Sequence, residues 1–377
     1  MKNLLVGNGI NIQFDNQSYT TTEIVLRLLK NCDRDDFPSH IIVNEPYLLK
    51  NYIGQLFLEA RLALQGGYDS YVTCKAEENS LISFKEQYAK KLATLKITDI
   101  GFEDYYLIHD LVCHKYNTVN PEQYYIRESM RIAYLLSIYN DGELDKLHLK
   151  YPKAFVDYLK SFDSIFTTNY DSNVDSVVGN EVYHIHGWFK QLSAVYDANS
   201  FRNQFPDAPI KNITVDNAYY FLYSNALTTH CGDYKEFQLK QYAYANDAIT
   251  KLAAAYATNP SVKNDIDSWI RDENRITSNM GYAVKMKVSN PELVFSDDFH
   301  FDKLSAITGE LDILGLSPWN DFHIFESIEK SKVTKCTYYY FSDEQRDKVT
   351  EILPTISAKG ILQLCPLKDF WSKMYEN

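Results

Sequence analysis

The chain has 377 residues, of which 38 are Lys or Arg and 50 are Asp or Glu, so its formal net charge is −12. An acidic chain is a poor candidate for a sequence-tolerant nucleic-acid binder, because such proteins release counterions from phosphates with clustered Lys and Arg. A hydrophobic fraction of 45% and a charged fraction of 23% exclude wholesale disorder. Glycine is scarce at 14 residues, roughly half of its usual share. Closely spaced glycines are therefore informative.

The cysteines and the hydropathy indicate a reduced protein without a membrane segment. The two closest cysteines, Cys336 and Cys365, are too far apart for a CxxC pair or a zinc ribbon. No apolar stretch approaches the ~18 residues that a membrane-spanning helix needs. The first apolar run is too short for the core of a signal peptide. We therefore expect a cytoplasmic protein.

The first predicted element is a short apolar strand, residues 4–6, which runs into Gly7-Asn8-Gly9. A polar loop follows. Thr20 to Glu23 has the pattern of a capping box, with Thr20 as the N-cap and Glu23 at the third helical position. The start of the chain therefore predicts a strand, a glycine turn and then a helix.

Two long blocks, residues 44–160 and 217–290, have predominantly helical patterns, and Pro121 is placed to begin a long helix in the first. In the second block, one apolar stripe predicts burial against another helix; it consists of Tyr242, Ala245, Ile249, Leu252 and Tyr256. Between and after the blocks, apolar runs predict further strands, the last three each followed by a helix. These strands are 164–168, 181–185, 311–316, 336–341 and 361–364, and the helices are 321–330, 343–352 and 367–374.

Strands that alternate with helices favour a mostly parallel sheet of the α/β class. The strands at the start, middle and end of the chain must meet to form one sheet, so the helical blocks become insertions into it. We predict a Rossmann-like core formed by residues 1–43, 161–190 and 291–377. Residues 44–160 and 191–290 would form an inserted helical second lobe.

Polar motifs follow several predicted strands, where ligands of an open parallel sheet bind. Gly7-Asn8-Gly9 allows close approach of backbone N–H groups to a phosphate, or makes only a tight turn. Thr167 to Asp171 presents an amide and a carboxylate, or a strand with an Asx-turn. Residues 312–321 form a further strand and glycine turn, from which Ser317 and Asn320 could reach a ribose hydroxyl. An ordinary loop with an Asp helix cap is the alternative there.

His184 and His186 are two residues apart, and such residues share a face of a strand. Two histidines could ligate a metal, but a site needs further ligands, and His109, His114 and His230 have no fixed spacing to this pair. A histidine beside a glycine at the end of a strand is a better general base, because its pKa lies near cytoplasmic pH. A half-buried histidine satisfied by the backbone is the other interpretation. We expect no metal site.

Taken in order, these motifs resemble those of sirtuin-like NAD hydrolases, the NAD-cleaving effectors of bacterial anti-phage defence and abortive infection. The resemblance implies that Asn169 is the catalytic asparagine, which orients the ribose and the attacking water, and that His186 is the catalytic base. It implies that Asp171 contacts the nicotinamide carboxamide side. The implied NAD-binding residues are Gly7, Asn8, Gly9, Asn11, Thr168, Asp171, Gly315, Ser317 and Asn320.

The chain departs from sirtuin deacylases in two ways. Its cysteine spacing cannot form their four-cysteine zinc module, and Ile12 to Asn16 replaces their longer loop after the first glycines. The resemblance therefore implies hydrolysis of NAD+ as a substrate, with no cofactor and no zinc, rather than removal of acyl groups from lysine. The opening Gly-Asn-Gly is also similar to AbiH-type abortive-infection proteins.

The same resemblance implies depletion of cellular NAD+ during phage infection, gated by homo-oligomerisation or by a partner encoded nearby. Partners seen across the family are HerA-like ATPases, Argonaute-type proteins and nucleotide pyrophosphatases. A non-catalytic module that senses NAD or another nucleotide and assembles with a partner remains the alternative.

The charge pattern constrains how such a site would hold a diphosphate. No Lys or Arg occurs between residues 2 and 27, between 160 and 190, or between 303 and 330. We expect the phosphates to be held by backbone N–H groups and a helix N-terminus, or by a basic residue brought in from a helical insertion.

Overall fold

The computed structural model describes residues 1–15, 17–39, 41, 45–119, 122–193, 195, 216–226, 229–230, 232–319 and 321–376. At its centre is a six-stranded sheet in which every neighbouring pair is parallel. The strands are β1 (Lys2–Val6), β2 (Ser164–Thr167), β3 (Val182–His184), β4 (Thr308–Leu314), β5 (Lys332–Tyr340) and β6 (Leu362–Pro366).

The strand order is β3-β2-β1-β4-β5-β6, which is the order of the Rossmann fold. In β1, Leu4 lies opposite Ile165 of β2 on one side and Asp312 of β4 on the other. The predicted α/β class and the parallel sheet are confirmed, and each predicted strand is present with its bounds shifted by a few residues.

The helices fall largely into the two predicted blocks and the C-terminal alternation. The first insertion, between β1 and β2, contains α1 (Gly9–Phe14), α2 (Thr21–Asn31), α3 (Pro46–Leu64), α4 (Lys75–Tyr88), α5 (Phe102–Tyr116), α6 (Glu122–Tyr139) and α7 (Lys153–Lys160). The second, between β3 and β4, contains α8 (Gly232–Thr258), α9 (Pro260–Trp269), α10 (Arg275–Ser289) and α11 (Phe301–Ser305). After β4 come α12 (Phe322–Glu329), α13 (Asp343–Ile352), α14 (Pro354–Ala358) and α15 (Leu367–Tyr375).

Short 3₁₀ helices connect several of these elements, at Ala89–Lys91, Ile97–Asp99, Asn140–Gly142, Leu144–Lys150 and Asn217–Tyr223. In the part of the chain that the structure describes, no helix combines the length and the apolar character needed to cross a membrane.

Separate hydrophobic cores cover the sheet and fill the helical insertions. One face of the sheet packs through Leu5 and Ile313, and the other through Leu4 and Val6. Two helices pack differently from the predicted division of the chain. Helix α2 joins the core of the helical insertion, whereas α7 packs on the sheet through Phe155.

Two details of the predicted helices differ from the structure. Thr20 is the N-cap of α2, but its side chain makes no capping hydrogen bond, so the capping box is wrong although the helix start is right. The apolar stripe of α8 is buried at Ile249 and packs on α9 and α10 near Tyr256, whereas Tyr242 is 43% exposed. The predicted helix start at Pro121 lies outside the described residues.

The glycine turns after β1 and β4 touch backbone to backbone. Gly7 N–H donates to Leu314 O at 2.9 Å, and Gly9 N–H donates to Gly315 O at 2.8 Å. A Cβ on Gly7 would lie 2.6 Å from Gly315 O, and one on Gly9 would lie 2.6 Å from Gly315 Cα. Gly315 itself has a φ of +71°. Glycine is therefore required at this crossing for steric reasons.

We expect Gly9→Ala to lower the free energy of unfolding by about 1–3 kcal/mol, because the new methyl group meets backbone that cannot move aside. Gly54→Ala is the matched control. Gly54 lies inside α3, and a Cβ there would meet nothing within 4 Å, so this substitution should stabilise the chain by about 0.5–1 kcal/mol. Urea denaturation of both variants measures the difference, and equal midpoints would contradict the steric argument.

Candidate functional site

A cavity of about 210 Å³ lies beyond the carboxyl ends of the central strands, between the sheet and the helical insertions. The turns after β1 and β4 meet beside it, so it occupies the point where the strand order reverses. Ligands of open α/β sheets bind at this position. The predicted site residues that line it are Asn8, Asn11, Thr168, Asn169, Asp171, His186 and Ser317.

The other predicted residues have different positions. Gly7, Gly9 and Gly315 form the backbone crossing beside the cavity and are not among its lining residues. Asn320 lies outside the described residues.

The helical insertion contributes part of the wall, mainly Tyr19, Thr21, Ile24, Phe102, Glu103, Ile138 and Leu144.

Asp171 fastens the loop after β2 to the first helix. Its Oδ2 accepts a hydrogen bond of 2.7 Å from Asn11 Nδ2. Its Oδ1 accepts bonds from the N–H and the Nδ2 of Asn173, at 3.0 and 2.7 Å. The bond to the Asn173 N–H is the Asx-turn considered as the alternative for this motif. Burial raises the pKa of Asp171, and these hydrogen bonds oppose the rise.

Asn169 is held through its main chain. Its N–H donates to Thr167 Oγ1 at 3.0 Å, and its carbonyl oxygen lies 3.1 Å from His184 Nδ1. Its side-chain Nδ2 donates to Gly7 O at 3.4 Å. The side chain is buried at the cavity wall. Because it bonds to Gly7 O, the turn that contains the glycine crossing sets its orientation.

The two histidines of the His-Ile-His motif have different partners, because β3 ends at His184 and the chain turns at Gly187, which has a φ of +83°. His184 Nε2 lies 3.2 Å from Asp175 Oδ2, and its ring stacks on Trp188. His186 instead faces the cavity, with its Nε2 2.9 Å from His323 Nε2.

Burial lowers the pKa of His186 well below its usual value, and the nearby positive charge of Lys235 lowers it further. Burial likewise lowers the pKa of His323. Both rings are therefore neutral at pH 7. A neutral imidazole that lines a cavity has the protonation state that a general base needs.

A buried lysine from the second insertion holds two carboxylates beside this pair. Lys235 Nζ lies 2.7 Å from Glu103 Oε1 and 3.6 Å from Asp321 Oδ1, and its side chain is fully buried. Burial raises the pKa of Glu103 to about 7 although Lys235 opposes the rise, and it also raises the pKa of Asp321. Asp321 is the N-cap of α12 but makes no side-chain cap bond, since its carboxylate lies toward Lys235 and His186.

Sequence reasoning did not single out Glu103, Lys235 or His323. His323 offered a weak signal, since it lies at the start of the predicted helix that follows a glycine turn. Glu103 and Lys235 offered none, because a charged residue in a helical block is usually on the solvated face. Lys235 is a basic residue brought in from an insertion, as considered for a diphosphate, but it faces carboxylates.

The lining chemistry differs from that of a phosphate site. The N–H groups of Gly7 and Gly9 already donate to carbonyl oxygens of the β4 turn. None of the described residues that line the cavity is Lys or Arg. The walls present amides, hydroxyls, an imidazole and three carboxylates, which suit a hydroxyl-rich or cationic group better than an anion.

Comparisons of the chain with protein-family models, with curated proteins and with solved structures found no match.

We expect Lys235→Met to destabilise the protein by about 3–5 kcal/mol at pH 8, because it leaves two buried carboxylates without a counter-charge. A carboxyl group whose pKa is raised in the folded state contributes less stability as the pH rises through that pKa. Without Lys235, the pKa values of Glu103 and Asp321 rise further. The loss of stability should therefore be smaller at pH 5 than at pH 8. Denaturant unfolding at both pH values tests this.

The matched control is Lys251→Met, in the same helix. Lys251 pairs with Asp247, and both side chains are mostly exposed, so the change in stability should stay below about 1 kcal/mol at either pH. A similar loss in both variants would contradict a special role for the buried ion pair.

Proposed function

We propose that the protein is an NAD+ glycohydrolase, which cleaves the bond between nicotinamide and ribose and releases nicotinamide and ADP-ribose. The observation that carries this proposal is that Asn169 and His186 line one cavity at the reversal of the strand order. The motifs that resemble those of sirtuin-like NAD hydrolases come from the start, middle and end of the chain, and they converge there.

The chemistry of the reaction suits these groups. The nicotinamide leaving group is already cationic and needs no protonation, and the transition state resembles an oxocarbenium ion. The site must position a water molecule, accept its proton and hydrogen-bond the ribose hydroxyls. The neutral ring of His186 accepts the proton, and Asn169 orients the ribose and the water. The carboxylates of Glu103 and Asp321 line the cavity and favour the positive charge that develops on the ribose.

The size of the cavity suggests which end of NAD+ enters it. At about 210 Å³ it is smaller than the ~300–1,000 Å³ of typical ligand pockets. We assign it to the nicotinamide riboside end. Asn8 and Ser317 are exposed lining residues and mark the mouth, so the diphosphate and the adenosine would extend past them. This arrangement keeps the phosphates away from the carboxylates.

The proposal includes the biological role that the resemblance implies. The enzyme would deplete NAD+ in the cytoplasm during phage infection. Because unrestrained hydrolysis would kill the host, its activity would be gated by oligomerisation or by a partner such as a HerA-like ATPase, an Argonaute-type protein or a nucleotide pyrophosphatase.

We expect His186→Ala to lower nicotinamide release from NAD+ by at least about 100-fold, the usual effect of removing a positioned acid–base group. Asn169→Ala should lower it by at least about 100-fold as well, the usual effect of removing a positioned hydrogen-bonding group. Chromatography of the products after incubation with the purified protein measures this, and circular dichroism checks the fold. The control is His114→Ala, since His114 bonds to Tyr71 O in the helical insertion, outside the cavity.

The products distinguish the remaining possibilities. ADP-ribose with nicotinamide supports a hydrolase, and a cyclised product with nicotinamide indicates a cyclase at the same site. Intact NAD+ that stays bound to the wild-type protein, even when the protein is concentrated enough to oligomerise and its neighbouring-gene partner is present, would contradict the proposal and favour the nucleotide-sensing alternative. Undiminished release by both alanine variants would remove Asn169 and His186 from the mechanism.

A further inference from the structure

Three side chains that can ligate a metal ion lie together at one side of the cavity, and two of them, His186 and Asp321, line it. They are His186, in the loop after β3, Asp321, at the N-cap of α12, and His323, in its first turn. One ligand atom of each lies within 4.8 Å of the others. Across the described part of the chain, this is the one such group of His, Cys, Asp and Glu residues. The expectation of no metal was based on the two histidines of the His-Ile-His motif and did not include His323.

The distances fit two imidazoles bound to one ion. His186 Nε2 and His323 Nε2 are 2.9 Å apart, and two nitrogens each ~2.1 Å from a tetrahedral ion are about 3.4 Å apart, so the rings need to separate by about 0.5 Å. Asp321 Oδ1 is 3.7 Å from His186 Nε2. It needs to move by less than about 1 Å to complete a three-ligand set.

The contact between the two histidines can be an N–H···N hydrogen bond, or it can become a pair of ligands to one ion. Two neutral rings that meet through their Nε2 atoms can share only one proton. His323 Nδ1 is buried and has no hydrogen-bond partner. That nitrogen stays unpaired whether the two Nε2 atoms share a proton or bind an ion, so it does not distinguish the two states. Coordination would use both Nε2 lone pairs, which would then point at the ion and not at each other.

The surroundings are compatible with a bound dication. Lys235 places one positive charge near Asp321, and Glu103 pairs with that lysine at 2.7 Å. The carboxylates therefore outnumber the cation at this wall. His186 and Asp321 both line the cavity, so an ion held by three protein ligands keeps an open side for water. Two imidazoles and one carboxylate favour Zn²⁺ and similar transition metals over Mg²⁺ or Ca²⁺.

We propose that a divalent transition-metal ion such as Zn²⁺ binds His186, Asp321 and His323 and thereby inhibits the enzyme. The inhibitory part rests on the proposed function with Nε2 as the basic nitrogen of His186: once bound to the ion, Nε2 has no lone pair with which to accept the proton of the attacking water. Metal binding is reversible, so the site gives the hydrolase an off state that removal of the ion reverses.

The test uses the full chain purified in chelator and then titrated with Co²⁺ and Zn²⁺. Calorimetry should find one ion per chain, and the absorption bands of Co²⁺ should report its ligand environment. His323→Gln and Asp321→Asn, chosen to preserve volume, should each weaken binding by more than the ~10–100-fold that second-shell losses cost. His114→Ala is the matched control. His114 Nδ1 lies 3.6 Å from Glu77 Oε1, so this histidine also has a carboxylate beside it, but among the described residues it belongs to no group of three metal-ligating side chains. It should bind as the wild type does.

Hydrolysis is then measured with and without the ion. We expect nicotinamide release by the metal-free enzyme to fall in proportion to the Zn²⁺ bound and to return when chelator is added. Absence of metal binding by the wild type, or unchanged binding by both ligand variants, would overturn the site. A metal-dependent increase in hydrolysis would overturn inhibition. Metal binding by a protein that does not hydrolyse NAD+ in chelator would instead refute the proposed function and leave the site standing.

Discussion

The contact between two glycine turns determines where the rest of the site lies. Because Gly7 and Gly9 press against Gly315, no side chain separates β1 from β4 at the point where the strand order reverses. Asn3 stabilises the other end of the same strand pair, near the start of β1. Its Nδ2 donates to Thr308 O and Glu310 O of β4. This close approach brings the side chains that follow β1 and those that follow β4 to one cavity.

The helical insertions are part of the site rather than additions to it. The sheet edge contributes amides, hydroxyls and an imidazole, whereas α5 contributes Glu103 and α8 contributes Lys235. A buried lysine is tolerated only with its counter-charges in place. The ion pairs of Lys235 therefore link the two insertions to Asp321 at the start of α12, and the electrostatics of the cavity depend on all three segments.

The sequence was informative wherever a local pattern has one structural outcome. Short apolar runs that end in polar or glycine residues predicted all six strands, and the topology of a parallel sheet then places the residues that follow them at one edge. Asn169, Asp171 and His186 could be named for this reason.

The residues that were missed depend on tertiary packing. Nothing local distinguishes Glu103 or Lys235 from a solvated helical charge, and only the way that α5 and α8 pack makes them neighbours. The same limit explains the helix assignments. Helix α2 follows β1 in the chain but packs with the helical core, and α7 belongs by sequence to the helical block but packs on the sheet. Sequence position does not reveal which core an amphipathic helix will join.

The pairing of β1 with β4 also has a consequence for synthesis. Residues 2–6 find their partner at residues 310–314, so most of the chain must leave the ribosome before the glycine turns can meet. Contacts this distant in sequence form late. Nascent chains that lack β4 contain Asn169 and His186 but not the crossing, Asp321 or His323. The cavity therefore arises only after β4 and the start of α12 have been synthesised, and fragments that end before them carry no assembled site.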